Sequence, residues 1–438
     1  MTDHAPVLSP LDEPPDAPAD EMRRREGAWR STHRAGALWP GLDEQVIQLA
    51  ADAIGTAVAG MLRDGRATLD VATTESDGER RARATGVAAL LTGVGPLLGA
   101  WTADGTLATE PPIARVLARH LAHARAREAR IRAAVMPVLA RMQAAGLEPG
   151  VIKGFHTAQA YFPEPGTRPY SDVDVVVAPS AIPHAERLLT DAGFAAEQRI
   201  GTTTYKREWL PPDDVAGDVW SYELWHARSR WKLDLHDGLH FYEVLKHVHT
   251  PQAPRFAEGL TLDGVTLRVA DANELIALLA AHASTELYSH RLLRLVELVL
   301  VVRRATTLGT LDWRAVEGAL AERGWLKFAY PTLALTERLA PGTVDAALLA
   351  ASSTATTARA RAVTTALSPT APILGASFSL RERLIWASGV GATLRWLWRM
   401  IAPLEGASRS SQLRTYRHRA RRLLSIIVGR AGSGHDAG

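Results

Sequence analysis

The sequence has no cysteine among its 438 residues. Without a thiol, the chain can form no disulfide, no thiolate nucleophile and no cysteine-ligated zinc site. This absence fits a reducing compartment, and we expect a cytoplasmic protein. Residues 1–20 are acidic and rich in proline, and they lack the basic start and the apolar run of a signal peptide.

Long apolar runs are also missing. No stretch reaches the ~18–20 uninterrupted apolar residues that a membrane-spanning helix needs. The run from Gly86 to Trp101 is too short, and the run from Leu384 to Leu404 contains Arg395 and Arg399. We therefore predict no transmembrane segment. With 47% hydrophobic and 22% charged residues, the composition is that of an ordinary globular protein.

Lysine is scarce, with five residues among the fifty lysines and arginines. The net charge is +3, but residues 376–438 hold eleven arginines and three acids, a balance of +8, so the rest of the chain carries about −5. Such a basic segment indicates an anionic partner, for example nucleic acid or a membrane surface. Its interleaved tryptophans and leucines favour the alternative, an arginine-rich helix that closes the domain.

The hydrophobic periodicity predicts an α+β fold, in which a small mixed sheet is flanked by N- and C-terminal helical regions. The expected strands lie at 151–152, 173–177, 205–210, 219–225 and 231–235. The predicted organisation is a disordered tail at 1–38, a helical region at 39–147, a catalytic domain at 148–268, a helical domain at 269–345, a linker-like segment at 346–376 and basic helices at 377–430.

The stretch Asp172-Val173-Asp174 leads into a run of valines. Alternate side chains of a strand point the same way, so both carboxylates face one side and the valines face the core. Two adjacent carboxylates repel each other unless a cation lies between them, and such oxygen ligands suit Mg²⁺. A solvated strand start is the alternative interpretation of this short pattern.

Two further groups of residues surround the aspartates. Lys153 and Gly154 end a strand and begin a helix, a geometry that offers backbone N–H groups and a positive charge to a phosphate. Arg168 and Ser171 directly precede the aspartates. Arg168 can bind a phosphate in bidentate fashion or pair with Asp172, and Ser171 can cap or donate a hydrogen bond.

A third carboxylate is expected on a neighbouring strand, and Asp234 supplies it, with His236 on the same face. Carboxylates that bridge two metal ions ~3.5–4 Å apart can stabilise both the attacking and the leaving oxygen of a phosphoryl displacement. Asp234 can also act as a general base, and His236 can orient Asp234 or the acceptor.

Two aromatic and histidine clusters have less specific interpretations. Trp209, Trp220, Trp225 and Trp231 can stack on a base or an aromatic acceptor, although such residues more often form the core. A zinc site is the weaker interpretation of four histidines with irregular spacing, which are His236, His240, His247 and His249.

These motifs resemble the DNA polymerase β-type nucleotidyltransferase superfamily. More narrowly, IKGFHTAQAYFPEPGTRPYSDVDVVV resembles an uncharacterised bacterial nucleotidyltransferase family with a Lys-Gly and Arg-Pro-x-Ser-Asp-x-Asp signature. KLDLHDGL, ELIALLAAHAS and LLRLVELVLVVRR are similar to further elements of that family, and Glu297 stands where it usually has Asp. The resemblance covers about residues 110–345.

The resemblance implies a nucleoside triphosphate bound with Mg²⁺ or Mn²⁺, with Asp172, Asp174 and Asp234 as metal ligands and catalytic residues. Lys153, Gly154, Arg168, Ser171 and His236 are the expected nucleotide-binding residues. The wider superfamily has Gly-Ser where this chain has Lys153-Gly154, so we expect Lys153 to replace the serine contact to the triphosphate.

The expected reaction is transfer of a nucleoside monophosphate to a hydroxyl or phosphate of a peptide or small molecule, in the setting of natural-product biosynthesis. Two alternatives stay open from the sequence, a non-catalytic binding or regulatory module and a kinase-like phosphoryl transfer. Nucleic acid is a less favoured acceptor, because no base-reading motif is present.

Overall fold

The computed structural model describes residues 9–14, 16–32, 34–71, 78–197, 206–212, 221–238, 255–284, 287, 291–370, 385–386, 389, 391 and 394. The chain divides into two compact units, one of residues 1–241 with 250–377 and one of residues 242–249 with 378–438. All elements named below belong to the first unit.

The N-terminal part is helical. Its helices are α1 (Ala19–Thr32), α2 (Ala35–Leu38), α3 (Glu44–Asp64), α4 (Gly78–Thr92), α5 (Gly95–Ala103) and α6 (Pro111–Ala144), and its two short parallel strands are β1 (Ala67–Leu69) and β2 (Leu107–Thr109). Asp43 caps α3 by accepting a hydrogen bond from the Val46 amide, and Gly65 ends it at φ 71°. Helices α3, α4 and α5 pack their apolar faces into one core.

A mixed seven-stranded sheet follows. Its strands are β3 (Gly150–Ile152), β4 (Asp172–Val176), β5 (Ala195–Ala196), β6 (Lys206–Leu210), β7 (Lys232–His236), β8 (Phe256–Leu262) and β9 (Val265–Ala270), and its helices are α7 (Lys153–Ala160) and α8 (Ile182–Asp191). The strand order is β5-β6-β7-β4-β3-β9-β8. The β4–β7 and β3–β9 pairs are parallel, and the other pairs are antiparallel.

Six helices complete the first unit. They are α9 (Ala272–Ala283), α10 (Leu292–Leu308), α11 (Trp313–Glu322), α12 (Leu326–Leu339), α13 (Ala346–Ala355) and α14 (Ala358–Ala366). Asp271 caps α9 by accepting from the Glu274 amide, as the sequence predicts. The Glu274 carboxylate is buried against Arg323.

The structure confirms the α+β fold class and corrects several details. The prediction of a disordered tail is wrong from residue 19, because α1 and α2 form there and bury Met22 and Leu38. The linker-like segment holds α13 and α14. The sequence predicts a strand at 219–225, but residues 221–225, the described part of this range, form no strand. The Ser221 hydroxyl accepts hydrogen bonds from the Glu223 and Leu224 amides, which turns the chain.

Within the described part of the chain, one helix, α3, has the length and composition that a membrane span requires. Eleven of its residues are buried and pack in the core with α4 and α5, as in the central helix of a globular domain. The basic segment 377–430 lies almost entirely outside the described residues.

Candidate metal centre and active site

The centre of the sheet aligns the predicted carboxylates. Strands β4 and β7 run parallel, with Asp172 beside Lys232, Asp174 beside Asp234 and Val176 beside His236. Alternation along each strand puts these polar side chains on one face. The intervening side chains Val173, Val175, Leu233 and Leu235 are buried in the core on the other face. The sequence alternation therefore fixes which face carries the chemistry.

Asp174, Asp234 and His236 form a group that can hold a metal ion. One ligand atom from each of the three side chains lies within 4.8 Å of the others, and all three side chains are buried. His236 Nε2 lies 2.8 Å from Asp174 Oδ1. His236 thus contacts Asp174, whereas the sequence predicts that it orients Asp234. Two carboxylates and an imidazole suit Mn²⁺ as well as Mg²⁺.

The electrostatics of the carboxylates favour a cation. Burial raises the pKa of Asp172, and the negative charges of Asp174 and Asp234 raise it further. Burial also acts to raise the pKa of Asp174, but Lys153 and His236 outweigh it and hold that pKa well below its usual value. Ionised Asp172 is therefore less stable than ionised Asp174, and a bound cation would stabilise it.

Lys153 is the cationic residue beside Asp174. Its Nζ lies 3.3 Å from Asp174 Oδ1. Its backbone has φ 52°, in the left-handed region that favours glycine. This conformation turns the chain from β3 directly into α7, so that the first turn of α7 begins next to the carboxylates. The phosphate-binding role of Lys153 stays a prediction.

Arg168 has a different role from the predicted one, and Gly154 has an additional role. A Cβ on Gly154 would lie 2.6 Å from Arg168 Nη1, so this glycine makes room for the guanidinium. Arg168 is buried, and its Nε and Nη2 donate to Glu297 Oε1 and Oε2 at 2.9 and 3.0 Å. The predicted pair with Asp172 is wrong, since Glu297 is the partner, and Thr157 donates to the same carboxylate.

Several further charged residues lie near the site, although the sequence does not predict them as site residues. Lys232 Nζ lies 3.4 Å from Asp234 Oδ1 and also pairs with Glu208 on β6. Arg294 lowers the pKa of Asp172 and His282 that of Asp174, which places both near the carboxylates. The alternation of Lys232 with Asp234 is the one pattern that can identify any of them.

The remaining predicted residues fall in three places. Ser171 is exposed, and its backbone oxygen accepts from the Lys232 amide. Trp209 and Trp231 are buried in the sheet core, which agrees with the structural interpretation of the tryptophans. Trp220 and the histidines at 240, 247 and 249 lie outside the described residues.

A mixed sheet with aligned aspartates, a basic turn and a helix start defines a phosphate-transferring type of site. The model of a family described as uncharacterised nucleotidyltransferase matches residues 88–341, more than half of the chain. The chain therefore belongs to this family, and the predicted nucleotidyltransferase activity is confirmed.

Other comparisons add little detail. No curated protein matches the chain. Among solved structures, the antibiotic-resistance factor ANT(2'')-Ia is similar with a TM-score of 0.30 and 13% identity, and the match covers 45% of this chain and 93% of that one. Membership of the wider polymerase β-type superfamily stays a prediction.

Proposed function

We propose that this nucleotidyltransferase uses Mg²⁺ or Mn²⁺ to transfer a nucleoside monophosphate from a nucleoside triphosphate to a hydroxyl or phosphate on a small molecule or peptide. The observation that carries the proposal is the β4–β7 register, which places Asp174 beside Asp234 with Asp172 on the same face. A cytoplasmic location and a role in natural-product biosynthesis belong to the same proposal.

The position of each residue indicates its proposed role. Asp174, Asp234 and His236 form the group that would hold the metal, and Asp172 on the same face would supply a further carboxylate. When bound, the metal neutralises phosphate charge and polarises the transferring group. Lys153 and the first turn of α7 lie where they can bind the phosphates of the triphosphate. Asp234 is a general base for the incoming hydroxyl.

The proposed reaction requires neither an oxidant nor a reductant. The acceptor oxygen forms a bond to the α-phosphorus, the bond from the α-phosphorus to the bridging oxygen breaks, and pyrophosphate leaves with that electron pair. The acceptor proton passes to Asp234. A kinase-like reaction would instead transfer the terminal phosphate and release a nucleoside diphosphate.

The test is the thermal stability of the full chain with Mg²⁺ or Mn²⁺ and each of the four ribonucleoside triphosphates. We expect a metal-dependent rise in the melting temperature, lost in Asp172→Asn and Asp174→Asn. Asp191→Asn is the matched control, because Asp191 is exposed on α8. Nucleotide binding that persists in both site variants would refute the proposal.

Asp172→Asn should also change the melting temperature of the metal-free protein. Because burial and two neighbouring carboxylates raise the pKa of Asp172, its ionised form destabilises the fold at pH 7. We expect the metal-free variant to melt at a higher temperature than the wild type while losing the response to metal. A variant that melts lower without metal would show that Asp172 is a structural anion.

A further inference from the structure

A large cavity lies beside the carboxylates. Its volume is about 570 Å³, a size typical of small-molecule sites. Its aromatic walls come from α1, the segment after α2 and the loop before β7, and they are Trp29, Trp39, Tyr222 and Trp225. Leucines from α2, α4, β6 and the same loop fill the spaces between these rings.

The walls are held in place by specific contacts. Trp39 Nε1 donates to the Tyr222 backbone oxygen at 2.7 Å. The guanidinium groups of Arg127 and Arg291 lie 5.9 and 5.8 Å from the centre of the Trp225 ring. A cavity with fixed walls binds a ligand without the entropic cost of ordering them.

The cavity adjoins the catalytic face through Lys232. This residue lines the cavity, and its Nζ lies 3.4 Å from Asp234 Oδ1. Ser171, the residue before Asp172, lines it as well. Glu208 on β6 lies opposite Asp234 in the strand register, and Leu210 is two residues further along β6. Leu210 therefore points to the same face of the sheet as the carboxylates.

The order of the strands shows on which side of β4 the cavity lies. Lys153 and Gly154 follow β3, which adjoins β4 on one side. The cavity residues Glu197, Leu210 and Lys232 come from β5, β6 and β7 or the residues next to them, on the other side of β4. In an in-line displacement the incoming and leaving oxygens lie on opposite sides of the phosphorus. The cavity is therefore on the incoming side when the triphosphate lies at Lys153.

The charges of the lining do not favour a polycationic ligand. Two acids, Glu26 and Glu197, stand against three bases, Arg230, Lys232 and Arg291.

We infer that this cavity binds the acceptor, and that the acceptor is an uncharged or anionic molecule with an aromatic or apolar body and a hydroxyl group. The inference rests on the proposed nucleotidyl transfer and adds the substrate class. The hydroxyl points from the apolar cavity toward Asp234, which takes its proton as the oxygen attacks the α-phosphorus and pyrophosphate leaves.

The test uses 2-naphthol as the neutral aromatic alcohol and kanamycin as the hydroxylated polycation. Equilibrium dialysis against the full chain measures binding of each. We expect saturable binding of 2-naphthol and none of kanamycin. Trp29→Ala and Leu91→Arg, at two half-buried wall positions, should weaken 2-naphthol binding at least tenfold. Trp29→Phe should restore most of it, and Leu49→Ala at an exposed position of α3 is the control.

The outcomes separate the two proposals. Metal-dependent stabilisation by the triphosphate must persist in the cavity variants, which also shows that they are folded. Absence of that stabilisation in the wild type would refute the proposed function. This result is independent of the cavity, because the triphosphate is proposed to bind at Lys153. Equal binding of 2-naphthol by wild type and Leu91→Arg, or tighter binding of kanamycin, would overturn the acceptor inference.

Discussion

Arg168 and Glu297 form a buried ion pair beneath the turn at Lys153-Gly154, with side chains 4% and 1% exposed. Burial acts to raise the pKa of Glu297, but Arg168 and Arg294 outweigh it and lower that pKa. The pair packs against Gly154 and receives a hydrogen bond from Thr157 on α7. It therefore fixes the start of α7 relative to the carboxylates.

Breaking this pair should be costly. Glu297→Gln leaves the buried guanidinium without its counter-charge, and we expect a loss of about 3–5 kcal/mol in the free energy of unfolding. Urea denaturation followed by circular dichroism measures it. Arg294→Gln is the control, because its 3.8 Å contact with Glu297 is longer and Arg294 is about one-third exposed, so its loss should stay below about 1 kcal/mol. Equal losses for both variants would contradict the assignment.

Two buried histidines predict an acid-sensitive fold. Burial lowers the pKa of His156 to about 4 and that of His120 to about 3, against 6.5 in the unfolded chain. Below pH 6.5 the unfolded chain takes up protons that the folded chain does not, so stability falls as the pH falls. The loss at pH 5 relative to neutral pH is about 2 kcal/mol for each histidine.

His156→Leu tests this assignment. The variant removes one proton-binding site of the unfolded chain, so its stability should fall by about 2 kcal/mol less than that of the wild type between pH 7 and pH 5. Urea denaturation at the two pH values gives the difference. An unchanged fall would mean that His156 is protonated in the folded protein.

At the residue scale, the sequence predicts the alignment of the aspartates better than the contacts of their neighbours. Asp172, Asp174 and Asp234 follow from strand alternation, which is a local property. The partner of Arg168 does not follow, because Glu297 lies on a helix that only the tertiary fold brings to it. Lys232 carries the same alternation as Asp234, yet its contact with that residue depends on the side-chain conformation.

At the scale of elements, the packing of α5 on α6 depends on a glycine. A Cβ on Gly99 would lie 2.4 Å from the Leu117 backbone oxygen and 2.9 Å from Leu121 Cβ. Neither atom is the end of a flexible side chain, so the two helices would have to move apart. Helix backbones approach this closely only where a side chain is absent.

Gly99→Ala should therefore destabilise the protein by about 1–3 kcal/mol, the usual cost of overpacking a core. Gly318→Ala is the matched control, because Gly318 lies inside α11 with no atom within 4 Å of a new Cβ. There alanine should be neutral or stabilise by up to about 1 kcal/mol. Differential scanning calorimetry compares the two, and a stabilising Gly99→Ala would refute the close packing.

The helices and central strands are predictable because hydrophobic periodicity is a local property of the sequence. Helices α6, α8 and α12 carry strong three- and four-residue hydrophobic periodicity, which is the signal of an amphipathic helix. Residues 221–225 look like a strand by composition, but hydrogen bonds to the Ser221 hydroxyl compete with strand pairing. Helices α1 and α2 were missed because proline and acidic residues dominate the start of the chain.

At the scale of the whole molecule, the N-terminal segment belongs to the domain. Asp16 Oδ2 accepts from the Ser221 hydroxyl at 2.5 Å and from the Tyr222 amide at 3.0 Å. Glu13 Oε2 lies 2.6 Å from His123 Nε2 on α6. These contacts anchor the segment that leads into α1, which contributes Trp29 to the cavity.

Asp16→Ala should loosen this anchor. Loss of the two hydrogen bonds leaves donors of the 221–224 turn unsatisfied, which costs about 1–3 kcal/mol of stability. Binding of 2-naphthol should weaken, because Tyr222 and Trp29 line the cavity, while metal-dependent triphosphate binding stays unchanged. Asp12→Ala, at an exposed position four residues away, is the control. Equal weakening of both ligands would indicate a general loss of folding.

The parallel pairing of β4 and β7 has one more consequence. Parallel strands require a long crossover, and here it runs from 177 to 231 and contains α8, β5, β6 and the 221–230 loop. Much of the cavity comes from this single crossover, whereas the proposed metal ligands stand on the two strands that bracket it. Mutation can therefore remodel the crossover piecemeal, and descendants of one ancestor can diverge in the compound they modify while inheriting an unaltered reaction.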